Sequence, residues 1–284
     1  PAYEMLRSLV GSEMCIRDRC YEYMSKKIFI DGGCSFTYGS ELTHRRSAWA
    51  YRLHSSLSTT EYISTAQPGS SNSGIARRLF KEVAKHNPES IGCVVVMWSF
   101  YTRYDWAMPE HNELDDKRWT SITPWDTNIS HNEKHKGLVG SVAEQEKWKK
   151  RDNLLLETGV KSLADAIYRN ASNAYHEIYL SWKSIIWLQN ILEKKNIPYM
   201  FTLADNSLFY EIFEQHKDKD KLMEALHNEI DFTKWFSFGE RMMGFNQWAN
   251  LNGYSYATTH PLDEAHNDAV KLMLPSFKKI IGGK

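Results

Sequence analysis

The run Gly92-Cys93-Val94-Val95-Val96-Met97-Trp98 is the feature that most limits how this chain can fold. It has no charge and no alternating polar face, and three β-branched residues at its centre favour a strand over a helix. A strand that is apolar on both sides needs cover on both sides. That is the environment of a central strand in a parallel sheet. Shorter apolar runs at Lys27–Asp31 (KIFID), Tyr62–Ala66 and Ile197–Ala204 (IPYMFTLA) read as further strands, and Tyr254–Ala257 as a short last one. Between them lie helical spacings. Trp49, Leu53 and Leu57 form one, and Ile75, Leu79, Phe80 and Val83 another that should stop near Asn87-Pro88. Tyr175–Lys195, Phe238–Asn252 and a final segment through Lys279 complete the set. Parallel strands need such crossovers, so the alternation predicts a doubly wound α/β sandwich.

Two stretches break this rhythm. Residues 104–159 are polar, rich in Trp, Asn, His and Lys, and weakly periodic; residues 205–237 are charged. So long a stretch is rarely plain loop, and both read as insertions, the first a lid, cap or partner surface. Residues 1–23 are set aside. Their segment SLVGSEMCIRDR resembles a leader that recurs at the ends of unrelated translated environmental sequences, and Met24 reads as the natural start of the remaining domain, 24–284; a short native helix is the alternative.

Composition narrows the function. The chain carries 35 basic and 35 acidic residues, so it has no electrostatic footprint for nucleic acid or an anionic membrane. No apolar run is long enough to span a bilayer. Cys15, Cys20, Cys34 and Cys93 form neither a disulfide framework nor a Cys-rich metal site, so a reducing, cytoplasmic setting is expected. Ten Trp and fifteen Tyr can build a large core or a sugar- or partner-binding surface.

In this architecture ligands bind outside the carboxyl ends of the strands. The first such loop is Asp31-Gly32-Gly33-Cys34-Ser35-Phe36-Thr37-Tyr38-Gly39. A serine between a strand and a helix exposes its hydroxyl at the sheet edge and suits a nucleophile; alternatively Ser35 is a helix cap. Gly33 to Gly39 resembles the first block of the SGNH (GDSL-like) hydrolase family, usually Gly-Asp-Ser-Phe-Thr-x-Gly, with Cys34 in place of the aspartate. The resemblance implies a three-layer α/β/α sandwich with a mainly parallel, flavodoxin-like sheet, and Ser35 as nucleophile. It also implies an oxyanion hole made by the N–H groups of Ser35 and of Gly69, the latter in the loop Gln67-Pro68-Gly69-Ser70-Ser71-Asn72. The third block usually supplies an asparagine after the third strand. Here Ser99 stands in that loop, so Ser99 or Asn72 is the expected further donor, and Arg103 a substrate-binding cation or an ion-pair partner.

The last block, Asp-x-x-His, matches Asp263-Glu264-Ala265-His266. In it His266 would be the general base and Asp263 would fix its tautomer; alternatively Asp263 caps the helix and His266 is a surface residue. His260, Asp263 and His266 form only a weak metal motif, since they have loop spacing and are not a helical His-x-x-x-His pair, and His111, His131 and His135 read as solvated. No metal or cofactor is expected. The family implies an ester hydrolase working through an acyl-enzyme on a small-molecule or carbohydrate ester. An acyltransferase, or a non-catalytic binding module on the same fold, are the rival readings.

Overall fold

A computed structural model describes residues 27–57, 61–108, 118–127, 142–210 and 220–282. The segment 1–23 and the insertion histidines His111, His131 and His135 lie outside the described residues. In chain order the elements are β1 (Ile28–Gly32), α1 (Ser35–Tyr38), α2 (Trp49–Ser55), β2 (Glu61–Ser64), α3 (Asn72–Val83) and β3 (Ile91–Trp98). There follow β4 (Tyr104–Ala107), β5 (Trp119–Ile122), α4 (Val142–Glu157), α5 (Val160–Ala166), α6 (Ala174–Lys194), β6 (Tyr199–Leu203), α7 (Lys221–Asn228), α8 (Phe245–Leu251) and α9 (Asp263–Gly282).

The main sheet runs β2-β1-β3-β6, with every pair parallel. β3 is buried along its whole length, and its alternation divides the core. Val94, Val96 and Trp98 join Ile30, Leu79 of α3 and Trp182 of α6 on one face. Cys93, Val95 and Met97 join Phe29, Leu53 of α2, Phe245 of α8 and Phe277 of α9 on the other. Helices thus cover both faces, as the uninterrupted apolar run requires. Ser71 starts α3 by accepting the Gly74 N–H at 3.1 Å, and Asn173 does the same for α6 with His176.

Within 104–159, β4 and β5 pair as an antiparallel ribbon, with Tyr104 opposite Ile122, and pack on Leu155 and Val160. Two elements differ from expectation. Tyr254–Ala257 makes only a single bridge, Tyr256 to Pro261, because the chain turns back on itself. Ala257 N–H bonds His260 O and Leu262 N–H bonds Ser255 O, which puts His260 at the tip of a turn. The helix expected from Phe238 begins at Phe245, because Arg241 and Met242 adopt left-handed backbone (φ 56° and 54°) that no helix accommodates.

Candidate active site

Ser35 follows β1 directly and opens α1, with only 7% of its surface exposed. Gly33 makes the turn feasible: a β-carbon there would lie 2.1 Å from Thr37 Oγ1 and 3.1 Å from the Met97 carbonyl of β3. The chain leaves β1 toward β2 and returns to β3 on β1's other side. The loops after β1 and β3 therefore flank the point where strand order reverses, which is where a crevice opens in such sheets.

The loop after β2 brings Gly69 to this edge. Gly69 has φ +75°, a left-handed conformation that suits glycine, and it packs against Thr123 just beyond β5. Among the described residues, neither the Gly69 nor the Ser35 N–H has a hydrogen-bond acceptor.

Asn72 differs from the expectation that it reaches the oxyanion. Its Nδ2 donates to Ser99 O at 3.1 Å and to Ser181 Oγ at 3.0 Å, while its Oδ1 accepts the Ser99 N–H at 2.7 Å. Both ends of the amide are engaged and the residue is buried, so it clamps the β3 loop to α6. Ser99 is likewise buried, and its Oγ accepts from Arg103 Nη1 at 2.8 Å. That guanidinium also reaches Ser70 O at 3.4 Å and lies over the Phe100 ring, so Arg103 bridges the loops after β2 and β3.

Asp263 and His266 do not form the pair that their spacing predicts. Asp263 is 43% exposed and lies 3.6 Å from Arg52. His266 is 1% exposed, and its Nδ1 accepts the Trp49 backbone N–H at 3.1 Å. That bond occupies one lone pair and leaves the ring proton on Nε2, so neither nitrogen is open to receive a proton from Ser35. Burial holds the imidazole neutral, pushing it down to about 3 despite the nearby Asp263 charge.

A second histidine packs beside the Ser35 turn. His260 is 13% exposed, and its ring centroid lies 4.8 Å from that of Phe36, the residue next to Ser35. Its Nδ1 lies 2.8 Å from Glu41 Oε2 and 2.9 Å from Thr259 Oγ1; a carboxylate can only accept, so Nδ1 carries the proton and Nε2 offers the lone pair. Burial lowers the His260 pKa, the Glu41 carboxylate opposes this, and the Arg103 charge lowers it further. Burial alone would raise Glu41, but the Thr259 N–H and His260 bring it below its ordinary value. The result is a neutral imidazole beside an ionised carboxylate. Glu41 and His260 are 219 residues apart, so no sequence spacing links them, and His260 otherwise stands out only as part of the weak metal motif.

Asp31 is buried within β1, where Tyr62 Oη and Ser64 Oγ (2.7 Å) donate to its carboxylate. Burial outweighs these bonds and raises it to about 7. Among the described residues no group of three His, Cys, Asp or Glu is arranged to hold a metal, and no helix is long and apolar enough to cross a membrane.

No family model and no curated protein matches the chain. Solved structures resemble it over most of its length at low identity. One is a member of the lipolytic G-D-S-L family from Veillonella parvula (12% identity, 89% of this chain and 99% of that one, TM-score 0.44). Another is a carbohydrate acetylesterase family member from Sinorhizobium meliloti (13%, 90% and 99%, TM-score 0.43). A third is the psychrotrophic esterase EstA from Pseudoalteromonas (11%, 90% and 99%, TM-score 0.44).

Proposed function

We propose that this chain is a serine acyl hydrolase that cleaves esters through a covalent intermediate on Ser35. The observation that carries the reading is Ser35 on the turn after β1, at the strand-order reversal, with its own N–H and that of Gly69 lacking acceptors among the described residues. Such N–H groups suit an oxyanion, which forms only as the carbonyl is attacked. Ser35 Oγ bonds to the carbonyl carbon while its proton passes to His260 Nε2. The imidazolium then gives that proton to the leaving alcohol as the C–O bond breaks. Water repeats the sequence on the acyl-enzyme and releases the acid. His260 is preferred to His266 because only His260 has an unoccupied ring lone pair.

An acylated carbohydrate is the substrate class best supported. Trp106 and Trp125 are exposed on and beside the β4–β5 ribbon; Trp119 is exposed there too, with the Arg77 guanidinium over one face of its ring. That ribbon touches the Gly69 loop, since Ser71 N–H donates to Ser121 Oγ at 3.3 Å. Aromatic faces of this kind can stack on the C–H face of a sugar while its ester reaches Ser35.

Labelling with a fluorophosphonate probe tests the reaction. The wild-type protein should label on Ser35 and Ser35→Ala should not. Equal labelling of both would remove Ser35 from the mechanism, and labelling of neither would leave a binding module.

A further inference from the structure

We propose that Glu41 is the positioning carboxylate of this site, holding His260 for proton transfer although it lies on the loop after the nucleophile's own helix. This rests on the serine hydrolase reading above. Glu41 Oε2 receives His260 Nδ1 at 2.8 Å, the His260 N–H at 3.0 Å, the Thr259 N–H at 3.0 Å and Thr259 Oγ1 at 3.2 Å. One oxygen therefore fixes both the ring and the backbone that carries it. The other oxygen, Oε1, is buried without a hydrogen-bond partner. Glu41 also sits at φ +66°, a backbone region that a β-carbon disfavours. Strain and an unsatisfied carboxylate oxygen in one residue are costs that a merely structural role does not require; they fit a group whose orientation serves the histidine.

One other polar group reaches the same nitrogen: Thr259 Oγ1 lies 2.9 Å from His260 Nδ1, but it also lies 3.2 Å from Glu41 Oε2, and a hydroxyl carries no charge to stabilise an imidazolium. Phe36 packs at a tilt against the ring, and Arg103 and His266 act on it only through charge or potential charge. Asp263 is engaged with Arg52. Ala257, one turn earlier, contributes its N–H to His260 O and has no carboxylate to offer. An ionised Glu41 accepting from Nδ1 holds the tautomer with Nε2 as base, and it stabilises the imidazolium formed when Ser35 gives up its proton.

The test compares Glu41→Gln and Glu41→Asp with the wild type in fluorophosphonate labelling and in turnover of a small aryl ester. Glu41→Gln should lose roughly 10²–10⁴ in kcat and labelling rate with little change in KM, and Glu41→Asp should recover part of the loss. Because the carboxylate raises the His260 pKa, the acid limb of the kcat/KM profile should move to lower pH in Glu41→Gln. Wild-type NMR should show a far-downfield Nδ1 proton that His260→Gln abolishes; its absence would overturn the proposal even if Glu41→Gln fails to fold. A folded Glu41→Gln that labels at the wild-type rate with an unmoved profile would also overturn it, while Ser35 labelling would leave the hydrolase reading intact. Failure of the wild type to label would defeat both.

Discussion

Trp49 donates its backbone N–H to His266 Nδ1 at 3.1 Å, across 217 residues of sequence. The bond satisfies the first amide of α2 with a side chain from α9, where no cap residue does so. His266 therefore belongs to the packing between these helices. His266→Ala should cost roughly 1–3 kcal/mol of stability, since it strands a buried N–H, while the labelling rate per folded molecule stays near wild type. Its pH dependence has a definite sign. The folded pKa is depressed to about 3 from 6.5, so the unfolded chain holds more protons across that window, and stability is lost as pH falls through it. Urea midpoints from pH 7 to 4 should drop in the wild type and drop less in His266→Gln.

Asp31 acts in the opposite direction. Its folded pKa is raised from 3.8 to about 7 by burial, so the folded protein holds more protons between those values and stability declines as pH rises. Asp31→Asn removes the titration and keeps an acceptor for Tyr62 or Ser64. Between pH 5 and 8 the variant should show a flatter urea midpoint than wild type, and at pH 8 it should be the more stable by about 1–3 kcal/mol.

Asn72 tests the clamp. Asn72→Ala leaves the Ser99 N–H, the Ser99 carbonyl and Ser181 Oγ without their shared partner, and should cost about 2–4 kcal/mol by chemical denaturation. Below its melting range the labelled fraction should follow the folded fraction. A fall in kcat at full folding would instead restore Asn72 to the oxyanion hole.

Trp125 tests the substrate class. Trp125→Ala should raise KM for an acetylated oligosaccharide about 3- to 10-fold, the factor of a contact worth roughly 1 kcal/mol. KM for a small aryl acetate should not change. Equal effects on both substrates would argue against a sugar platform.

The parallel layers were legible because burial leaves a local imprint: an eight-residue strand buried on both faces must read as a continuous apolar run. The Gly33–Ser35 turn was legible for a similar reason, since close approach to Thr37 and Met97 demands glycine at one position. The partners of the histidines were not. Asp263 and His266 stand one helical turn apart, but a turn of helix does not say which neighbour each side chain meets, and Arg52 and Trp49 arrive from α2. Asn72 carried the right chemistry at the right edge, yet the demand of buried Ser99 for partners drew it inward. Glu41 pairs with His260 through tertiary folding alone, which no spacing rule encodes.

That pairing also sets a date for the site's assembly. Glu41 leaves the ribosome long before Thr259 and His260, and its carboxylate has nothing to hold until the turn ahead of α9 has docked. On the reading proposed above, a nascent chain that ends before that turn lacks the base that Ser35 would use. Any hydrolytic power in this protein would then wait until that turn has been made and has docked on the loop that carries Glu41.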